Sequence, residues 1–549
     1  MINKFNEKLK SLLGESRLYF LIYKTVFFIK TLFFIKPKLS KSLYSNLISS
    51  VNINDKTKPL VVVPILETNH YTHFHILAMA KAFSLRGYRV LVIVCDEYLP
   101  ECEIKNIRIS SNFNPCFKCN VNRNNLLNTF GLNTINLSSI FSEIEDPVIF
   151  GRKVFNECSY DHDSFNRIIN DSVTRHYFGA ESFYDPEAVS KVREDHTKTA
   201  YISLALGKLL IDKYSPSLFF NQMRNYSAWN PLFDLFNMAG IPAITLLFTA
   251  FDFNSVRLND SDLFRHKRTY QRFISNRKNL ELSGNENKKL TEFLENRSGG
   301  NDNLMKEWNY FKESSVQELK INKNKKNIFL FTNVPWDVGL DEFAGPFNNV
   351  IDWVNKTIEH FKDNNEIDIW IKPHPAEVSS TAQSAKSVAD FINSKYKILP
   401  DNIHLIDPKK GINTYGLFKY IDLGVVLTGT LGLEMAMKKI PVVSAGLSPC
   451  YGLGILNEPK SIEQYFNALS EMDFQEAPYF KLSLFCYFYF IHQSFKWPLT
   501  KKAFGDNFSG FQLSDPNELR PKNNKDLDII FNEVECLIND YKKNRALQL

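Results

Sequence analysis

From Leu60 onward the chain alternates short uninterrupted apolar runs with longer stretches in which apolar residues recur every three or four positions. "LVVVPI" (Leu60 to Ile65) has no polar break, as a strand buried on both faces of a parallel sheet requires. "HFHILAMAKAFSLRG" places Phe74, Leu77, Ala78, Ala82 and Leu85 on one helical face and stops at Gly87. "YRVLVIVCDE" is the next strand, so these segments predict one βαβ unit. Residues 100–195 mix loops with helices in no regular order. Regularity returns with a helix over Tyr201 to Lys213, a strand over Ser217 to Asn221, a helix through "WNPLFDLFNMAG" and a strand over Ile241 to Leu247.

Between about 255 and 325 the chain turns polar and charged ("NRSGGNDN", "KINKNKKN") without a β pattern, which predicts helices and a linker. A second series follows, with strands "NIFLF" (327–331), "IDIWI" (367–371), "IHLI" (403–406), "DLGVVL" (422–427) and "IPVVSA" (440–445) separated by helical spans. The pattern predicts an α/β protein of two doubly wound, Rossmann-like domains facing a cleft. The expected divisions are an N-terminal segment (1–55), a first α/β domain (56–255), a helical linker (256–325), a second α/β domain (326–475) and C-terminal helices (476–549). The aromatic run Tyr479 to Trp497 is too short to span a bilayer and is expected as a helix over the domain junction. No repeat of solenoid length is present.

The N-terminal segment changes the picture locally. "SRLYFLIYKTVFFIKTLFFIKPKLSK" (Ser16 to Lys41) is rich in aromatic and aliphatic residues, yet Lys24, Lys30 and Lys36 interrupt it before it reaches spanning length. Lys10, Arg17 and Lys24 recur every seven residues, near one helical face, which suits a helix lying in an anionic membrane interface. The alternative is a hydrophobic helix docked on the protein itself. Over the whole 549 residues the net charge is only +6, which gives no argument for nucleic acid as a partner. Eight cysteines include Cys116 and Cys119 in a CxxC, with Cys95 and Cys102 upstream. The 95/102 spacing is not that of a zinc-ribbon pair, so free buried thiols are expected, with a structural zinc as the alternative.

Candidate chemistry lies at predicted strand ends. In "IWIKPHPAE" (Ile369 to Glu377), Pro373 and Pro375 hold the backbone extended and rigid, which presents His374 beside Lys372. The bland alternative is a stiff turn. In "LTGTLGLEMAMKK" a strand gives way at Thr428, Gly429 and Thr430 to a helix start, whose amides suit a phosphate. Glu434, one turn in, is placed to accept from ribose hydroxyls; alternatively Thr430 caps the helix and Glu434 favours its positive end. Past the first domain's strands lie Glu67, His70 and His73, and then Asn221 and Arg224. The acidic triplets Asp161 to Asp163, Asp260 to Asp262 and Asp526 to Asp528 read as solvated charges, and no metal dependence is expected.

"IKPHPAE", followed by "TGTLGLEMAMKKIPVVSAG" and preceded by "LFTNVPWD" (Leu330 to Asp337), resembles the C-terminal domain of the bacterial capsule polysaccharide biosynthesis family. That family comprises glycosyltransferases of GT-B architecture and includes Kdo transferases. The resemblance is good over about 325–450, looser over 58–250 and absent in the N-terminal segment. It implies that His374 and Pro375, with Lys372 nearby, meet the donor's phosphate. Thr428, Gly429 and Thr430 approach from the other side, Asn333 belongs to the loop that opens the nucleotide site, and Glu434 holds the ribose. A base for the acceptor hydroxyl is also needed. Glu67 is the first candidate, then His70, with His73, Asn221 and Arg224 on the acceptor side. The implied protein is a cytoplasmic, membrane-peripheral, metal-independent glycosyltransferase without a cofactor. It would move a sugar from a nucleotide donor, CMP-Kdo as a first guess, to a surface or capsular glycan or glycolipid. A nucleotide-sugar epimerase of the same fold and a non-catalytic member of a capsule assembly complex are the alternatives.

Overall fold

Strand β1 (Leu60–Ile65) is buried at every residue and pairs in parallel with β2 (Arg89–Val94), Leu60 opposite Arg89. Helix α1 (His70–Leu85) connects them, and its core face includes Phe74, Leu77, Ala78 and Ala82, with Leu85 at the margin. In this computed structural model the described residues are Leu47, 55–67, 70–108, 115–249, 255–259, 267–300, 313–337, 343–378, 383–472, 478–498 and 515–546. The basic segment Ser16 to Lys41, with its expected membrane contact, and the triplet Asp260 to Asp262 lie outside them.

Helix α2 (Pro115–Phe130) leads to a three-residue strand β3 (Thr134–Asn136). Helices α3 (Pro147–Glu157), α4 (His162–Tyr177) and α5 (Pro186–Tyr214) then precede β4 (Leu218–Asn221). Helix α6 (Asn230–Met238) and β5 (Ala243–Phe248) complete a parallel series in the order β3-β2-β1-β4-β5. Helix α5 runs for 29 residues from a Pro186 start capped by Asp185, far earlier than the Tyr201 start expected from sequence. Its first half is charged, and the apolar period appears only where the helix enters the core. Of the triplet Asp161 to Asp163, Asp161 accepts from the Ser164 N–H and so caps α4.

A correction concerns residues just past 255, where no strand is expected. Strand β6 (Ser255–Asn259) pairs antiparallel with β5, and β12 (Phe495–Lys496) pairs with β6 in turn. Both are short, β12 at the sheet edge and β6 next to it, and too brief to show a pattern of their own. Helices α7 (Lys267–Ser275) and α8 (Gly284–Ser298) follow; α8 opens on a Ser283/Glu286 capping box.

The second sheet has the order β9-β8-β7-β10-β11, all parallel. Its elements are β7 (Lys326–Phe331), α9 (Val350–Phe361), β8 (Ile367–Lys372), α10 (Val388–Lys395), β9 (Ile403–Leu405), β10 (Leu423–Val426), α11 (Leu431–Met437), β11 (Val442–Ser444) and α12 (Ile462–Glu471). Each sheet therefore has a point where successive crossovers leave in opposite directions, between β1 and β4 and between β7 and β10. Open α/β sheets bind ligands there, at the carboxyl ends of the strands.

Helix α13 (Tyr479–Tyr487) packs with α7, α8 and α11, and Arg257 of β6 donates to the Tyr489 carbonyl just beyond it. The chain then returns to the first sheet: Trp497 lies in its core, and helix α14 (Lys525–Ala546) covers α1 with Leu527, Ile530, Phe531 and Val534. The triplet Asp526 to Asp528 is not merely solvated. Asp528 pairs with Arg86 at 2.6 Å and Asp526 with Lys496 at 3.0 Å, fastening α14 to α1 and β12.

Candidate functional site

Three loops leave the carboxyl ends of β7, β8 and β10. At the end of β8, Lys372 is buried and burial lowers its pKa to about 8. His374 is lowered to about 4, first by burial and then by the charges of Lys372 and Arg297. Its Nδ1 accepts the Ala376 N–H at 3.1 Å, so the neutral ring carries its proton on Nε2 and presents a donor there. Pro375 begins a single 3₁₀ turn (Pro375–Val378) that keeps this geometry. Glu377 closes the turn by accepting the Val388 N–H at 2.8 Å, which ties the motif to the start of α10.

After β10, Gly429 sits at φ +106°, a conformation that only glycine adopts without strain. A Cβ there would lie 3.8 Å from Asn333 Nδ2, so the loops after β7 and β10 approach one another at this glycine. Asn333 Oδ1 is buried and has no hydrogen-bond partner. Thr428 donates its hydroxyl to the Leu447 carbonyl at 2.9 Å, and Thr430 donates to Glu434 at 3.2 Å. Helix α11 has only seven residues, so its dipole adds little, and the cations carry the local positive potential.

Glu434 is buried and receives Arg297 Nε at 2.9 Å and the Tyr415 hydroxyl at 2.6 Å besides Thr430. With three donors on its two oxygens, the carboxylate is a hub that holds Arg297. Arg297 comes from the last turn of α8, in the region the sequence reading treats as a linker. No local pattern marks it; only the fold brings it to the KPHP turn.

In the first sheet, Glu67 follows β1 and is buried beside Glu103. Burial pushes both carboxyls upward, and Glu67 adds to the rise at Glu103, while the Arg175 guanidinium opposes it. Burial and the repulsion between them favour a proton on one of the two carboxyls, with the Arg175 guanidinium pulling the other way. Arg175 Nη1 is buried without a hydrogen-bond partner, and Tyr226, past β4, is buried in the same field. Sequence reasoning found Glu67 and missed Glu103 and Arg175, which lie in the unpatterned span 100–195.

The other first-domain candidates are distributed differently. His70 opens α1. His73 is fully buried, with Nε2 3.2 Å from Gln222 Nε2. Asn221 is buried and donates to the Met223 carbonyl. Arg224 pairs with Asp234 at 3.6 Å and lies over Phe233. The four cysteines Cys95, Cys102, Cys116 and Cys119 are not joined in disulfides and form no metal-sized group among the described residues.

The two sheets adjoin through the loop after β7. Trp336 packs against Phe178 at 4.9 Å, and the Arg175 guanidinium lies 4.5 Å from its ring centre. The Ala385 N–H donates to the Phe178 carbonyl at 3.0 Å, and Phe183 meets Phe391. Asp337 contributes to the raised pKa of Tyr226. Asn333 thus faces the loop after β10 of the second sheet, while Trp336 and Asp337 face the first sheet's buried charges.

This arrangement can be set beside known proteins. Residues 292–477 match the capsule polysaccharide biosynthesis protein family. The matched segment contains Arg297, Asn333, Lys372, His374, the Thr428 to Thr430 loop and Glu434, so it includes the whole cluster at the ends of β7, β8 and β10. No curated protein matches the chain. Among solved structures, the beta Kdo 2,7 transferase of Thermosulfurimonas dismutans KpsC is 14% identical with a TM-score of 0.30, over 51% of this chain and 78% of that one. The beta Kdo 2,4 transferase of the same protein is 13% identical with a TM-score of 0.30, over 49% and 78%. UDP-GlcNAc 2-epimerase from Neisseria meningitidis, bound to UDP-GlcNAc, is 11% identical with a TM-score of 0.22, over 75% and 91%. The strand orders of the two sheets carry the fold assignment.

Proposed function

We propose that the protein transfers a sugar from a nucleotide-activated donor to a surface or capsular glycan. One observation carries the reading: a single short loop touches both clusters. Asn333 and Trp336 are three residues apart, so their Cα atoms lie within about 11 Å. A sugar donor and acceptor bridge that distance.

In this reading Arg297, Lys372 and the Nε2–H of His374 gather on the donor's phosphate, with the backbone at Gly429 and the Asn333 amide beside it. The bond between the anomeric carbon and the phosphate oxygen breaks, and its electron pair leaves on that oxygen, where fixed cations and donors stabilise it. The acceptor oxygen forms the new bond and gives its proton to the ionised member of the Glu67–Glu103 pair, whose raised pKa makes it a stronger base than an ordinary carboxylate. Glu434 holds Arg297 in place, since three donors already share its two oxygens. A CMP-linked acidic sugar is the first donor to test, since three basic groups answer a phosphate and a carboxylate together. The basic segment Ser16 to Lys41 supports a place at the cytoplasmic face of an anionic membrane, near a lipid-linked acceptor. No helix among the described residues is long and apolar enough to cross a membrane.

The test is turnover by purified protein of CMP-, UDP- and GDP-sugars with capsular oligosaccharide acceptors. Nucleotide release coupled to glycan extension is expected, lost in His374→Ala and in Glu67→Gln. If no donor is consumed, and wild type and His374→Ala bind CMP and UDP equally poorly, the reading fails. Conversion of a UDP-sugar without acceptor would replace transfer by epimerisation.

A further inference from the structure

Glu101, two residues before Glu103, belongs to a second polar cluster that the transfer reading does not use. Glu101, His176 and His196 each offer a ligand atom, and these atoms all lie within 4.8 Å of one another. Glu101 stands in the loop after β2, His176 in the last turn of α4 and His196 within α5. Three separate elements therefore converge on one point.

The donor set is already oriented. His196 is 1% exposed; its Nδ1 lies 2.8 Å from Ser227 Oγ, and its Nε2 is buried without a hydrogen-bond partner. His176 Nδ1 is also buried without one, while the same ring interacts with the Lys105 backbone. Two imidazole nitrogens thus sit unpartnered in the interior beside a carboxylate, which costs free energy unless something accepts their lone pairs. Hydrogen bonding at the far side of each ring is the arrangement that fixes the tautomer of a metal ligand. Glu101 is fastened at its backbone, where the N–H and carbonyl both bond Thr199 Oγ1, at 3.1 and 3.0 Å. Lys105, the cation nearby, has its ammonium on the carbonyls of Leu99 and Pro100.

We propose that Glu101, His176 and His196 form a zinc site that pins the loop bearing Glu103 to the helices α4 and α5. Two neutral imidazoles and one carboxylate make a three-residue zinc set, with water in the fourth position. Bonds of about 2.0–2.2 Å in tetrahedral geometry place ligand atoms about 3.3 Å apart, so the side chains close by up to about 1.5 Å on binding. Glu103 lies two residues from Glu101, and Arg175 is next to His176. The three ligands are thus positioning residues for the acid–base pair. The metal-binding claim is independent of the transfer reading.

The full-length protein, stripped with chelator, is titrated with Co²⁺ and with Zn²⁺. One equivalent of Co²⁺ with visible absorption bands of a low-coordinate site is expected, displaced by Zn²⁺, with a rise in Tm of several degrees on Zn²⁺ addition. His196→Ala and Glu101→Gln weaken Co²⁺ uptake at least tenfold, and Cys116→Ala/Cys119→Ala leaves it unchanged. The proposal is overturned if stripped wild type takes up no Co²⁺, or if binding survives in the ligand variants and is lost in the cysteine variant. Should His196→Ala not fold, the wild-type titration and the cysteine variant still decide.

Discussion

Lys372 keeps an ammonium where little water reaches it, and that has a measurable sign. Its pKa is about 8 in the folded protein against 10.5 in the unfolded chain. Between those values the unfolded state binds more protons, so stability from this group rises with pH from about 8 to 10.5, and below 8 the full penalty is present. Lys372→Met is therefore expected to stabilise the protein at pH 7 by on the order of 3 kcal/mol while weakening CMP or UDP binding at least tenfold; Tm and calorimetric titration measure the two. A variant that loses stability and keeps nucleotide affinity would remove Lys372 from the anion site. At this scale the sequence showed the residues that sit in motifs: two prolines announce His374, and a small-residue turn announces Gly429. Arg297, Glu103 and Arg175 were invisible because each is an ordinary charged residue on a helix or loop, given meaning only by what packs beside it. Glu434 was found, but its partners Arg297 and Tyr415 could not be read, so its role as a hub was hidden.

Helices α3 and α5 cross at Gly151, where an added Cβ would stand 1.9 Å from the Tyr201 carbonyl oxygen. Backbone against backbone cannot yield as two side chains can. Gly151→Ala should cost about 3 kcal/mol, the upper end for overpacking, and should loosen α5; unfolding in urea is the measurement. Unchanged stability would mean the helices separate freely. The parallel strands of both sheets were legible because burial on two faces demands unbroken apolar runs. Strands β3, β6 and β12 were not, since two to five residues at or next to a sheet edge leave no periodicity. The first half of α5 escaped for a related reason: its exposed charged turns are helical by capping and by continuity with the buried half.

Across the whole molecule, the two sheets meet at Trp336, whose ring lies against Phe178 and under the Arg175 guanidinium. Trp336→Ala removes no side chain of the Arg297, Lys372 and His374 cluster, touching it only through the bond to Ser384, and displaces the pair's counter-charge. Transfer is expected to fall about 10²-fold with nucleotide affinity within about twofold, because small misplacements of catalytic groups are costly while ground-state binding is not. Equal losses in both would place Trp336 in the nucleotide site instead. The tandem arrangement was readable from the two strand series; how the chain closes was not, because the edge strand and covering helix of the first sheet come from its far end. That closure sets a timetable for synthesis. The last hydrophobic residues that seal the first sheet, near Ile538, leave the ribosome roughly 15 to 55 s after Asn259 at ordinary elongation rates. Through that interval a half-made sheet keeps an open edge, so the nascent chain exposes apolar surface that the finished protein covers.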